Sequence, residues 1–80
     1  MTERDALFEV QAGLLIASLR RAGMDDPTIR QMCRQGAWEW LLDLKLTETS
    51  RQEILGFLGL SAVLRSLVAA AAVQVLTPEP

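Results

Sequence analysis

Apolar residues recur at three- and four-residue spacing along almost the whole chain, and strict alternation occurs nowhere. That periodicity predicts helices and no strands. The first helix is predicted over residues 4–22. Glu3 and Asp5 suit its positive end, and Arg20 and Arg21 its negative end. Gly23 is placed to end it in a left-handed conformation, with Met24 folding back. Leu7, Phe8, Val10, Leu14, Leu15, Ile16, Ala17 and Leu19 cover most of its circumference, leaving Glu9, Gly13 and Arg20 as the clearly polar strip. Such a stripe is wider than a helix with one core-facing side needs.

Asp25-Asp26-Pro27 is a start signal, because an aspartate accepts from free backbone N–H groups and Pro27 fits the first helical position. The helix over 27–35 turns Ile29, Met32 and Cys33 to one side, and Gly36 stops it. Residues 37–44, AWEWLLDL, predict another short helix, with Trp38, Leu41 and Leu42 on one face and Trp40 elsewhere with Ala37 and Leu44. Thr49 with Gln52, and Ser50 with Glu53, read as overlapping capping boxes. The next helix is therefore predicted to start near residue 50, carry Ile54, Leu55, Phe57 and Leu58, and end at Gly59. Ser61 is expected to cap a last helix reaching about residue 76, and 77–80 to form a frayed tail. The expected architecture is all-α: a single domain over 1–80, a compact bundle of four to five short helices.

Within it, residues 50–67, SRQEILGFLGLSAVLRSL, resemble a bacterial helix-turn-helix, in which a supporting helix ends in Gly-Leu-Ser before the recognition helix. The resemblance covers about a quarter of the chain and implies a DNA-binding regulator that reads bases from Ser61 and Arg65. Two positions depart from the pattern. Leu55 stands where such motifs want alanine for a close helix crossing, and Arg65 stands where they want a buried Val or Ile. The second helix also continues as VAAAAVQVL, offering few of the side chains that read base edges.

Half of the 80 residues are apolar, and the mean hydropathy is +0.20. A chain this short buries only about 60% of its unfolded surface. More apolar surface is present than one small monomer hides comfortably, so a homodimer is expected. Leu14, Leu64, Leu67, Val68 and Ala71, on the first and last helices, are its candidate interface.

The net charge of −2 disfavours a dedicated nucleic-acid binder. With no histidine and one cysteine, Cys/His zinc sites, internal disulfides and nucleophile–histidine pairs are excluded. No enzyme and no cofactor are expected. The opening MTERDALFEV lacks a basic segment followed by an apolar run. The unbroken apolar run over 67–73 is far shorter than the roughly 20 residues that cross a bilayer. A cytoplasmic protein, not membrane-bound, is the expectation.

Trp38 and Trp40 lie about 200° apart on a helix, so both cannot face one core. Trp38 shares its face with Leu41 and Leu42 and is assigned to the core. Trp40 is then the freer ring. With Arg30 and Arg34 it forms the candidate partner-binding surface, since Trp and Arg dominate interface hot spots. In size and apolar helical character the chain is similar to small helical regulators and host-takeover proteins of phages and mobile elements, including inhibitors of transcriptional activators and of motor ATPases. That resemblance implies a host or cognate protein as partner and assigns no residue.

Overall fold

The structure is a computed structural model that describes residues 3–36 and 38–77, with the backbone alone at 3–5 and 40. Among the described residues the chain forms four α-helices and one 3₁₀ helix, with no strand. They are α1 (Glu3–Arg21), α2 (Asp26–Gln35), the 3₁₀ helix (Glu39–Asp43), α3 (Glu48–Leu58) and α4 (Ala62–Leu76). α1 is the central element. It packs against α4 on one side and α3 on the other, while α2 lies across α4.

The turns follow from the residues that make them. Gly23, at φ 95°, closes α1 with two reciprocal bonds. Its N–H donates to the Arg20 carbonyl (3.0 Å), and the Met24 N–H donates to the Leu19 carbonyl (3.1 Å). This pattern needs a left-handed residue at position 23, which glycine supplies without a Cβ penalty. Asp25 then caps α2 by accepting from the Thr28 N–H at 3.0 Å, and Pro27 stands in the first turn. Gly36, at φ 68°, ends α2 in the same left-handed way.

Hydrogen bonds from the Thr28 hydroxyl and N–H hold Asp25 below the usual carboxylate range, and the Arg20 guanidinium does the same to Asp26. Carboxylates with depressed folded-state pKa values stabilise the fold fully above their unfolded pKa and lose that contribution as pH falls. The urea midpoint is therefore expected to hold between pH 7 and 5 and to drop on acidification below about pH 4. Asp25→Asn, which caps without titrating, should show a shallower drop. Equal acid sensitivity in both proteins would show that Asp25 contributes nothing to it.

Three sequence expectations are corrected. The α-helix expected over 37–44 is absent from its described part, 38–44, which holds a five-residue 3₁₀ helix beginning after Trp38. α3 starts at Glu48, not near residue 50. Its cap is Thr47, whose side chain accepts from the Ser50 N–H at 3.2 Å. Neither Thr49 nor Ser50 caps, because Ser50 lies one turn inside α3 and is fully buried. Gly59 keeps a right-handed conformation (φ −75°), so the link between α3 and α4 makes no use of glycine's left-handed freedom. Ser61 caps α4 as expected, accepting from the Leu64 N–H at 3.3 Å. α4 packs on α1 and α2 and has little contact with α3. Of the frayed tail expected over 77–80, Thr77 is instead bonded to the end of α4, its N–H donating to the Val73 carbonyl at 2.9 Å, and 78–80 lie outside the described residues.

The core takes Leu15, Ile16 and Leu19 from α1, Ile29, Met32 and Cys33 from α2, and Leu41 from the 3₁₀ helix. α3 adds Ile54 and Phe57, and α4 adds Val68, Ala69, Ala72 and Leu76. Two buried polar residues interrupt it, Ser18 and Ser50. Arg21 Nη1 donates to Ser50 Oγ (2.7 Å) and reaches Glu53 Oε2 at 3.5 Å. Ser18 Oγ lies within reach of both Glu53 Oε2 and the Leu14 carbonyl oxygen. Its single proton serves one acceptor at a time. These four side chains join α1 to α3 through polar contacts that leave no buried side-chain nitrogen or oxygen unpartnered among the described residues.

Candidate partner-binding site

The surface around the end of α2 is shaped by two small-residue features. Gly36 stops α2 and turns the chain, so that Trp38 swings inward beside it. The Trp38 ring meets Phe57 edge to face, with centroids 4.8 Å apart and planes at 76°, and only 9% of the residue is exposed. Its Nε1 stands 4.0 Å from where a Cβ on Gly36 would lie. Trp38 thus belongs to the core with Leu41, whereas Leu42, expected on the same face, is 39% exposed.

On one side of this Gly36–Trp38 ridge, Ser66, Ala69, Ala70 and Val73 of α4 face Cys33 and Arg34 of α2. Their short side chains leave a cleft of about 480 Å³. On the other side, Glu39, Leu42, Leu58 and Arg65 border a second cleft of about 230 Å³. The two share Gly36 and Trp38, so they flank one ridge, with Arg34 on one wall and Arg65 on the far one. Neither arginine is ion-paired among the described residues, whereas Arg20 pairs with Asp26 and Arg21 with Glu53. Cys33 borders the first cleft, but its burial pushes the thiol up to about 11. At neutral pH it is a small apolar side chain and not a nucleophile.

The other expected site residues fall in several places. Arg30 is half buried, and its Nη1 donates to the Leu76 carbonyl at 3.2 Å. It caps the end of α4 and ties α2 to it, so its fork is engaged within the chain while Arg34 stays open. The Trp40 and Ala37 side chains lie outside the described residues. Val68 is 1% exposed and has no surface to offer a second subunit, because it sits on the side of α4 that faces α1 and α2. Leu14 and Leu67 are exposed, and Leu64 and Ala71 are half buried. Ser61 is occupied in capping α4, and Arg65 borders the second cleft instead of projecting from a free recognition helix.

Sequence reading missed the clefts, since they depend on how α2 crosses α4. The run of alanines was visible, but its use was not. Ala69 and Ala72 pack inside the chain, and Ala70 opens onto the first cleft. Glu53, expected to complete a capping box with Ser50, does not do so. Its carboxylate instead meets Arg21 and the buried Ser18 of α1.

These observations define a class: a small all-α globule with a ridged, two-arginine surface at the α2–α4 crossing. No helix among the described residues is long and apolar enough to cross a membrane. No protein-family model, curated protein or solved structure matches the chain.

Proposed function

We propose that this chain is a small helical interaction protein that binds a protein partner, inhibiting or modulating it, through the surface at the α2–α4 crossing. The observation that supports this reading most is the pair of clefts around Gly36 and Trp38, walled by the two uncommitted arginines Arg34 and Arg65. The first cleft, apolar but for Arg34 at its edge, suits an amphipathic segment that carries a carboxylate, and the second offers Arg65 beside Glu39. The reading takes Trp40 as its aromatic anchor, because tryptophan is the residue type that dominates interface hot spots. The reading carries no catalytic role, and it includes self-association of the chain as a homodimer. The source-level expectation, a regulator from a phage or mobile element acting on a host protein, is compatible with it.

Trp40→Ala and Arg34→Glu are each expected to weaken partner binding at least tenfold, about 1.4 kcal/mol, with helical content unchanged by circular dichroism. Calorimetric titration of the partner is the measurement. If Trp40→Ala unfolds the protein, Trp40 belongs to the core and the arginine variants carry the test. The competing reading is a DNA-binding regulator using Ser61 and Arg65. It predicts duplex binding that weakens steeply with salt and is lost on changing Arg65. Partner binding that survives both the Arg34 and Arg65 changes would remove the clefts from the account.

A further inference from the structure

α1 carries a second apolar seam that the fold does not use. Its core-facing side is Phe8, Ala12, Leu15, Ile16 and Leu19. On roughly the opposite side, at 100° per residue, Leu7, Val10, Leu14 and Ala17 line up within an arc of about 80°. Leu7 is 64% exposed, Val10 60% and Leu14 40%. By helical position, residue 3 and Arg21 close the same line at either end. The spacing 3, 7, 10, 14, 17, 21 alternates four and three, the period with which one helix packs along another. A singly exposed apolar residue needs no explanation, but three in one heptad line do.

The line is also symmetrical about position 12. We infer that this face pairs with the same face of a second copy of the chain, antiparallel, with Val10 against the partner's Leu14 and Leu7 against the partner's Ala17. In that arrangement each Arg21, whose side chain is 44% exposed beyond its bonds to Ser50 and Glu53, lies at the far end of the seam from the partner's Arg21. A parallel pair would instead set Arg21 against Arg21, with the two helix dipoles aligned unfavourably. The charge pattern therefore selects the antiparallel, twofold arrangement. One helix of 19 residues is about 28 Å long. It buries less than the roughly 1,200 Å² of a standard specific interface, so the dimer is reversible and concentration-dependent. The inference deepens the self-association part of the proposal and shares no residue with the clefts.

The test is sedimentation equilibrium of the full chain from 1 µM to 500 µM, repeated on variants. Wild type is expected to dimerise in this range. Val10→Glu, and the uncharged Val10→Gln, should weaken the dimer at least tenfold while keeping wild-type helical content. Leu7→Glu should weaken it likewise, and adding Ala17→Lys to Leu7→Glu should recover at least tenfold, because only the antiparallel pair sets position 7 against 17. A double variant no tighter than Leu7→Glu alone overturns the antiparallel arrangement. A dimer unaffected at Val10 but dissolved by Leu67→Asp overturns the α1 seam and leaves self-association standing through α4. Wild type that stays monomeric at 500 µM overturns both, and leaves the cleft proposal untouched.

Discussion

Replacing Phe57 with alanine is expected to cost about 3–5 kcal/mol, the usual range for emptying an aromatic core site. A domain of this length has roughly 4–12 kcal/mol in all, so the variant should be largely unfolded at modest urea. Phe57 is 3% exposed and is the edge-to-face partner of Trp38. It holds the ridge between the two clefts from below. Removing it opens a void under the only segment that links α2 to α3. Phe57→Leu keeps most of the volume and loses chiefly the aromatic pairing, about 0.5–1.5 kcal/mol. Urea unfolding followed by far-UV circular dichroism separates the two variants. An alanine variant that unfolds at the wild-type urea concentration would show that Trp38 and Phe57 are not packed as described.

The second large effect is expected at Glu53. Glu53→Leu removes the acceptor that Ser18 and Arg21 share, leaving a buried hydroxyl to its local carbonyl and a guanidinium to Ser50 alone. The expected loss is about 1–3 kcal/mol, the range for stranding a buried polar partner. Because Ser18 and Glu53 touch, Ser18→Ala should cost much less in the Glu53→Leu background than in the wild type, a coupling that distant residues do not show. Strictly additive losses in the double-variant cycle would mean that the contact contributes nothing.

Helix positions were legible because their signals are local. Gly23, Asp25, Pro27, Gly36 and Ser61 each act on backbone groups within a few residues, and each plays its expected part. The cap of α3 was misread because Thr47, Thr49 and Ser50 are all competent caps by composition. The choice is made by Ser50, which is drawn into the interior by Arg21 from another helix. The segment around Trp38 was read as an α-helix from its composition, but the left-handed Gly36 and the burial of both Trp38 and Leu41 leave room only for a short 3₁₀ turn. Trp38 and Leu41 take the core positions expected of them, but Leu42, expected on the same face, is exposed because the segment is not an α-helix. Val68 was misplaced because an almost wholly apolar helix gives no hint of which side faces inward. The clefts were invisible for a similar reason. Their walls bring residues between 33 and 42 against residues between 58 and 73, and nothing local encodes a helix crossing.

The most direct test of the central claim is affinity capture with the full-length chain from nuclease-treated extracts of its source cells. Wild type is compared quantitatively with Trp40→Ala and with Arg34→Glu/Arg65→Glu. The account predicts a protein recovered by wild type whose yield falls at least tenfold with each variant. Equal recovery by all three chains would contradict it, as would the absence of any specific protein together with salt-sensitive binding to duplex DNA that a change at Arg65 abolishes.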